Sequence, residues 1–180
     1  PKLVDNKNNS VKAPFGFGEV NATGRIDTQK LIEAYRTFLS QMNQYISATF
    51  DYEALIETPE GLCYESIQAK HIVFTEGFGI HKNPYFKQLP LEGTKGELIT
   101  IYAPQLQLTP ILKSSIFVIP MEGDHYLVGS TYEWTDKTNI PTSEAKSQLL
   151  EKLERLVTCD FEVVDQRAGI RPTVSDRRPL

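Results

Sequence analysis

The residue best suited to recognise a small charged ligand is Arg171, which follows the small residues of the stretch QRAGIRPTVSDRRPL (166–180). A guanidinium holds a carboxylate through two parallel hydrogen bonds, so it fixes the orientation of the anion as well as its position. Arg171 is therefore a candidate anion-binding residue at the end of a predicted strand. The alternative is a surface arginine paired with Asp165 or Asp176, which would contribute little.

A second candidate site is the stretch HIVFTEGFG (71–79). Its apolar run, Ile72 to Phe74, is typical of a strand buried on both faces. The run leads directly into Thr75, Glu76 and Gly77, and a glycine at a strand end lets the backbone approach a ligand closely. The alternative is an ordinary exit from a strand into a loop.

The common catalytic and metal-binding motifs are absent from the sequence. It contains no G-x-S-x-G, H-E-x-x-H, Walker loop or C-x-x-C. The glycine-rich stretch GFGEVNATG (16–24) lacks the preceding strand and following helix of a dinucleotide fingerprint, so it predicts a turn. Cys63 and Cys159 are far apart and the three histidines share no ligand spacing. We therefore predict neither a metal site nor a catalytic side chain.

Composition excludes some classes of partner. The 180 residues carry a net charge of −4, whereas a general nucleic-acid binder would show a basic excess. No apolar run approaches the roughly 20 residues of a membrane span. Two cysteines that lie far apart, in no metal or redox spacing, are typical of a reduced, cytoplasmic protein.

Two helices are predicted from apolar residues at helical spacing. The first runs from about Asp27, a good N-cap, to Gln44, and its apolar stripe should face a core. That stripe consists of Leu31, Ile32, Tyr35, Phe38, Leu39 and Met42. The second helix should be capped by Thr142 or Ser143. Its stripe consists of Leu149, Leu150, Leu153, Leu156 and Val157.

The remaining elements are predicted to be strands, most of them joined by hairpins. The segments rich in β-branched and aromatic residues are 45–57, 62–68, 96–103, 114–121, 125–133 and 160–172. Residues 58–61 and 122–124 are typical turns. Residues 1–13 form a polar N-terminal segment, a loop or a frayed end. These elements predict an α+β fold, with a mixed, largely antiparallel sheet and helices on one face.

Five stretches resemble the D-amino-acid oxidase family, which includes glycine oxidase and sarcosine oxidase. AGIRPTVSDRRPL (168–180) is similar to the family's G-x-R-P-x-x-x-D-x-x-P segment. The other four stretches precede it in the chain and occur in the same order as in the family. Together they extend the resemblance over nearly the whole chain after Ala13. They are ATGRIDTQKLIEAY, ISATFDYEALIE with AKHIVFTEGFG, LPLEGTKGELITI and IFVIPMEGDHYLVGSTYE.

The resemblance implies that residues 14–180 are the substrate domain of a two-domain flavoenzyme, with partial strands of its FAD-binding domain at about 45–79 and 160–180. Arg171 matches the arginine that pairs with the substrate carboxylate. Phe117 stands where several members place a tyrosine of the substrate site, so that hydroxyl is missing. Thr131 lies on the hairpin arm nearest the site.

The resemblance also implies that Thr75, Glu76 and Gly77 belong to the turn that passes close to FAD. Glu76 departs from the family pattern, because that position is normally occupied by a small residue. A carboxylate there would repel the diphosphate of FAD. The implied reaction is the oxidation of an amino acid or related amine by hydride transfer to the flavin. It needs no general base from this chain.

The 180 residues lack the family's N-terminal G-x-G-x-x-G and the glycine that follows Pro179-Leu180. We therefore expect a piece of a larger enzyme, which alone neither holds FAD tightly nor turns over. A sheet without its partner domain could also form a homo-oligomer through an apolar face. The alternative functions are a non-catalytic ligand-binding or interaction module, and a flavin domain that serves tRNA-base modification or glycerol-phosphate oxidation.

Overall fold

The computed structural model describes residues 2–174, which form two α-helices and ten β-strands. The helices are α1 (Thr28–Gln41) and α2 (Ser143–Leu156). The strands are β1 (Lys2–Val4), β2 (Phe17–Glu19), β3 (Leu55–Thr58), β4 (Gly61–Tyr64), β5 (Ile67–Ala69), β6 (Thr94–Tyr102), β7 (Leu112–Lys113), β8 (Phe117–Pro120), β9 (His125–Gly129) and β10 (Glu162–Arg171). Two short 3-10 helices cover Tyr52–Ala54 and Gly77–Lys82.

The chain divides into two compact units. The smaller unit comprises residues 1–2 and 19–74, and the larger unit comprises residues 3–18 and 75–180. The larger unit contains a five-stranded sheet in the order β10-β6-β9-β8-β7, and the smaller one contains the sheet β3-β4-β5. Every pairing in these two sheets is antiparallel. The α+β prediction, with its largely antiparallel strands, is confirmed.

Alternation along β6 gives the five-stranded sheet one core face and one open face. Ile99 and Ile101 are fully buried on the core face, in a cluster with Leu149 and Leu153 of α2. Leu98 and Thr100 point the other way and are half-buried. Helix α2 packs against the core face, and the residues on the open face lie outside this cluster.

Helix α2 forms where the sequence predicts it. Thr142 is the N-cap, and its hydroxyl accepts a hydrogen bond from the Ala145 N–H at 3.2 Å. The apolar stripe packs as expected, with Leu149 and Leu153 fully buried. The predicted hairpin at 122–124 is also present, and both Gly123 and Asp124 adopt positive φ angles.

The N-terminal segment is anchored rather than frayed. Val11 is buried and forms a bridge with Val157 at the end of α2. Polar side chains secure the same loop, because Asn8 donates to the Leu106 carbonyl and Ser10 to the Gln105 carbonyl, each at 2.8 Å. The polar composition that suggested fraying instead supplies hydrogen bonds to the backbone.

In the smaller unit, α1 begins after its predicted N-cap, Asp27, which accepts a hydrogen bond from the Lys30 N–H at 3.1 Å. The prediction that its apolar stripe faces a core is wrong for this chain, since no residue of α1 is buried. The helical spacing of apolar residues predicts that one face of α1 is apolar, but it does not predict whether another part of the protein covers that face.

Two strand predictions are also wrong. Residues 45–51 are not a strand, and the chain enters β3 only at Leu55. The run from Ile72 to Phe74 is irregular, and Val73 is 80% exposed. A strand buried on both faces needs a neighbour on each side, and no described strand pairs with this run.

Within residues 2–174, no helix has the length and apolar character needed to cross a membrane. The same residues contain no group of three or more His, Cys, Asp or Glu side chains arranged to hold a metal ion.

Candidate functional site

Arg171, the last residue of β10, is held in place by the segment that follows β9. β10 pairs with β6 so that Arg171 lies opposite Thr94. Its Nη2 donates to the Ser130 hydroxyl at 2.8 Å and its Nη1 to the Thr131 carbonyl at 3.4 Å. Two of the five guanidinium N–H groups thus have acceptors among the described residues, and neither acceptor is a carboxylate.

The alternative for Arg171 is a surface arginine that forms an ion pair with Asp165 or Asp176, and the structure describes only the first of these two carboxylates. Within residues 2–174, no ion pair joins Arg171 to Asp165, which lies farther back along β10 opposite Thr100. Asp176 lies outside the described residues. Asp165 therefore does not neutralise the positive charge of the Arg171 guanidinium.

The Arg171 guanidinium occupies the space beside Gly96, a residue of β6 that has no side chain. A Cβ added to Gly96 of β6 would lie 2.0 to 2.4 Å from three guanidinium atoms of Arg171. Gly96 pairs with Gly169 of β10, where an added Cβ would meet nothing within 4 Å. The two glycines leave a strip of bare backbone on the open face, and only the Gly96 side of it is occupied by Arg171.

An aromatic ring lies over the guanidinium. The Arg171 Cζ atom is 4.7 Å from the centroid of the Tyr132 ring. Tyr132 is 65% exposed, so its ring forms part of the outer wall of the site. Sequence reasoning missed this residue. The available signal was its position directly after Thr131, in the stretch GSTYE that the family resemblance had placed near the site.

Thr131 contributes its backbone rather than its side chain. Its hydroxyl accepts a hydrogen bond from the Glu97 N–H at 2.9 Å, and its own N–H donates to the Glu97 carbonyl at 3.3 Å. The residue is buried, and its carbonyl is the group that faces Arg171. The substrate-binding role of Thr131 stays a prediction.

Phe117 shares the open face with Arg171 but lies at the other side of it. It pairs with Gly129, which in turn pairs with Leu98, and antiparallel partners point to the same face. Its strand, β8, is the third along the sheet from β10. The structure thus places both residues on one surface without bringing them into contact, and the role of Phe117 stays a prediction.

The turn containing Thr75, Glu76 and Gly77 lies beside the end of β10. Phe78 and Ile170 both crowd Gly93, and Gly77 comes close to Pro172, which follows Arg171. The 75–77 turn therefore lies close to Pro172, the residue that follows Arg171. The cofactor role of the three residues stays a prediction.

The Glu76 carboxylate has a structural partner. It accepts a hydrogen bond at 2.9 Å from the side-chain amide of Asn83, which is fully buried. The Asn83 side-chain oxygen in turn accepts from the Tyr85 N–H at 2.9 Å. Glu76 therefore helps to fix the 3-10 helix that follows it.

A buried polar network that sequence reasoning missed holds the segment after Tyr132. The ammonium of Lys95, almost fully buried, donates to Asp136 and to the Ile140 carbonyl, each at 2.5 Å. Its hydrogen bond to Asp136 raises the pKa of Lys95, and the same bond is the main reason that the pKa of Asp136 falls to about 2. The pair stays charged over the whole neutral range.

Glu97 extends the network to the start of α2. Its carboxylate accepts hydrogen bonds from the Thr142 N–H and hydroxyl, each at 2.9 Å, and from the Gln166 amide at 2.8 Å. Lys95 lies 3.7 Å from the same carboxylate. Since buried charges are costly unless paired and hydrogen-bonded, this network ties β6, β10 and the 130–142 segment into one arrangement.

Comparison with known proteins identifies the same architecture. The family model described as FAD dependent oxidoreductase (DAO) matches residues 17–180. The crystal structure of glycine oxidase from Geobacillus kaustophilus is 25% identical in sequence with a TM-score of 0.53, covering 69% of this chain and 34% of that one. Glycine oxidase from Bacillus cereus ATCC 14579 is 21% identical with a TM-score of 0.55, covering 70% and 35%. The chain thus spans about a third of the length of each of these two structures.

Proposed function

Because the chain belongs to the FAD dependent oxidoreductase (DAO) family, we propose that it supplies the substrate-binding part of an enzyme that oxidises an amino acid or a related amine. The observation that carries the proposal is the fixed guanidinium of Arg171 on the open face of the sheet. Its charge is not neutralised by a described carboxylate, and it keeps N–H donors for a ligand. The similarity to a glycine oxidase at 25% identity supports a small amino-acid or amine substrate.

The task we assign to Arg171 is orientation. A carboxylate held by two parallel hydrogen bonds cannot rotate, so the α-carbon of the substrate has one position relative to the sheet. FAD, when bound, would supply the hydride acceptor, and the described residues would bind and orient the substrate. No side chain of this chain is assigned a proton-transfer step.

The described residues fit the substrate end of such a site better than the diphosphate end of FAD. Glu76 places a carboxylate, which accepts a hydrogen bond from the Asn83 side-chain amide, at the turn assigned to the cofactor. An anionic diphosphate would be repelled there, so the 75–77 turn suits at most an uncharged part of the cofactor. We therefore propose that the 180-residue chain alone neither retains FAD nor turns over.

The test is a visible absorption spectrum of the enzyme that carries this sequence, reconstituted with FAD and mixed with amino acids and N-methyl amino acids in the absence of oxygen. Bleaching of the flavin band by one of them would support the proposal and give the substrate class. Arg171→Ala should then raise KM for carboxylate substrates, while Arg171→Lys should recover part of the loss, since it keeps the charge but not the fork. A protein that binds no FAD would contradict the proposal.

The second candidate is a ligand-binding module that has kept the sheet without catalysis. The observation in its favour is Glu76, whose carboxylate opposes a bound diphosphate, together with the missing hydroxyl at Phe117. The absorption spectrum, combined with a carboxylate titration of the wild type and Arg171→Ala, separates the two candidates. A colourless protein that still binds carboxylates through Arg171 would favour the module.

A further inference from the structure

We propose that the buried ion pair between Lys95 and Asp136 positions Arg171, by holding in place the chain segment from which the guanidinium takes its partners. The inference rests on the proposed function, because Arg171 is the residue to which that function assigns substrate binding. Lys95 and Asp136 are positioning residues in this account, and neither is assigned a contact with the substrate or a catalytic step.

The hydrogen bonds and the ring contact of Arg171 come from three consecutive residues. The guanidinium donates to the Ser130 hydroxyl at 2.8 Å and to the Thr131 carbonyl at 3.4 Å. Its Cζ atom lies 4.7 Å from the centroid of the Tyr132 ring. All three residues follow β9, so the path of the chain after β9 decides what surrounds the guanidinium.

The chain after Thr131 has no hydrophobic anchor. Every residue from 132 to 141 is exposed except Asp136, which is half-buried. The large apolar side chains of this segment do not pack inward, since Trp134 is 42% exposed and Ile140 is 67% exposed. A segment with few buried apolar contacts opens easily unless polar contacts hold it.

Lys95 of β6 supplies those polar contacts. Its almost fully buried ammonium donates to the Asp136 carboxylate and to the Ile140 carbonyl, each at 2.5 Å, and to the Thr138 hydroxyl at 3.4 Å. Its backbone exchanges hydrogen bonds with that of Glu133 at 2.8 and 2.9 Å. One residue of the sheet therefore contacts the segment near its start, in its middle and near its end.

The segment is folded so that a carboxylate meets the ammonium. The Glu133 carboxylate accepts hydrogen bonds from the N–H groups of Thr135 at 2.6 Å and Asp136 at 3.4 Å. Asp136 Oδ1 accepts from the Thr138 N–H at 2.7 Å, while its Oδ2 accepts from Lys95. Removing the Asp136 side chain should therefore both loosen the turn and leave the ammonium without its carboxylate.

Alternation along β6 links the ion pair to Arg171. The side chain of Lys95 points to the core face, and that of the next position, Gly96, would point to the other face, into the space occupied by the guanidinium. The chain after β9 thus contacts Arg171 on one side of β6 and the Lys95 ammonium on the other. Loss of the ion pair should free this chain, and with it the partners of Arg171, while the core cluster stays packed.

The experiment measures the guanidinium, the segment and the core separately in the 180-residue chain. The NMR signal of the Arg171 Nε–H group, assigned by its loss in Arg171→Lys, reports the surroundings of the guanidinium. Deuterium uptake of a peptide that covers residues 131–142 reports the opening of the segment, and the melting temperature reports the core. No substrate or flavin is needed, so a failure of this inference is distinguishable from a failure of the proposed function.

The variants remove one contact at a time. Asp136→Ala removes the ion pair, and Asp136→Asn keeps an acceptor without its charge. Lys137→Met removes a second contact of the segment, the hydrogen bond from the Lys137 ammonium to the Gly93 carbonyl at 2.6 Å. Leu149→Ala is the control for stability, since it makes a cavity in the core. Asp165→Ala is the control for net charge, since it removes an exposed carboxylate of β10.

In Asp136→Ala, we expect deuterium uptake across 131–142 to be faster by roughly tenfold or more, because a buried ammonium without its partner is strongly unfavourable. The Arg171 Nε–H signal should move toward the position of a free arginine side chain. Asp136→Asn and Lys137→Met should give smaller changes in the same direction. Leu149→Ala should lower the melting temperature without moving the signal, and Asp165→Ala should change neither.

Three results would overturn the inference. Unchanged uptake across 131–142 in Asp136→Ala would show that the ion pair does not hold the segment. Faster uptake with an unmoved Arg171 signal would show that the guanidinium does not depend on the segment. An equal movement of the signal in Leu149→Ala would reduce the effect to a general loss of stability.

If Asp136→Ala does not fold, an unmoved signal in both Asp136→Asn and Lys137→Met overturns the inference equally. If the signal moves as expected but no amino acid bleaches the flavin of the enzyme, the positioning role is supported and the proposed function is contradicted.

Discussion

At the scale of single residues, the site depends on the absence of a side chain at Gly96 as much as on the charge of Arg171. The guanidinium occupies the space that any larger side chain at position 96 would fill. A lone arginine in a sequence gives no sign of this support. The glycine that makes it possible stands 75 positions earlier and is brought close only by the pairing of β6 with β10.

Gly96→Ala should displace the Arg171 side chain and reduce carboxylate binding to the level of Arg171→Ala. Stability should change little, because the atoms that must move are at the end of a flexible side chain. Gly169→Ala is the matched control, since the same methyl group on the paired residue would meet nothing within 4 Å. Acetate titration monitored by NMR provides the measurement, and equal affinities in the two variants would contradict the expectation.

Asp136 should make the stability of the protein depend on acidic pH. Its pKa falls from 3.8 to about 2, chiefly because it accepts a hydrogen bond from Lys95. A lowered carboxyl pKa contributes stability that is present above the unfolded value and is lost as the pH falls through the folded value. The contribution of Asp136 should therefore disappear between about pH 4 and pH 2.

The measurement is the melting temperature of the wild type and of Asp136→Asn at a series of pH values from 7 to 2. Asp136→Asn should be less stable at neutral pH, and its curve should converge with that of the wild type as the acid end is reached. Asp165→Asn, which removes an exposed carboxylate of β10, controls for the change in net charge. Parallel curves for the wild type and Asp136→Asn would show that the pair with Lys95 does not contribute.

At the scale of secondary-structure elements, the two helices show the same sequence pattern with different surroundings. Both have the predicted N-cap and an apolar stripe, and both contain 14 residues. Leu149 and Leu153 of α2 are fully buried against the sheet, whereas Leu31 of α1 is 50% exposed. The periodicity therefore predicted both helices correctly but the burial of only one.

Leu149→Ala should destabilise the protein by about 2–5 kcal/mol, the usual cost of a buried leucine replaced by alanine. Leu31→Ala should change stability by less than about 0.5 kcal/mol, since a substitution on an exposed surface leaves no cavity. Urea denaturation followed by circular dichroism would measure both values. Similar losses would mean that the α1 stripe is covered in solution.

At the scale of the whole molecule, the larger unit contains the buried core and the smaller unit exposes much of its apolar surface. The core cluster lies in the larger unit, between α2 and the core face of the five-stranded sheet. In the smaller unit, the stripe of α1 and side chains such as Ile46, Ile56 and Val73 are exposed. Large exposed apolar areas usually mark an interaction surface, so this unit is where association is most expected.

Hydrogen exchange should distinguish the two units. Backbone amides of α1 should exchange faster than those of α2, because local opening costs less where no side chain is buried. Deuterium uptake measured by mass spectrometry on peptides from 28–41 and 143–156 would test this at several protein concentrations. Equal protection of the two helices would contradict the expectation, and protection of α1 that grows with concentration would indicate self-association.

The sequence by itself determined the class of fold and most of its elements. Asp27 and Thr142 marked the helix starts, the turn at 122–124 marked a hairpin, and β-branched runs marked β6, β8, β9 and β10. These features are local, because capping, turn conformation and side-chain alternation depend on residues a few positions apart. Arg171 could also be singled out, since its chemistry and its place at a strand end are both visible in the sequence.

Only the tertiary structure decided which residues surround Arg171 and which apolar runs are buried. Gly96, Ser130 and Tyr132 meet the guanidinium through the register of β6 with β10 and through the path of the chain after β9. Ile72 to Phe74 has strand composition, yet it has no strand beside it among the described residues. Side-chain type limits what a residue can contact, whereas long-range pairing selects the contact that forms.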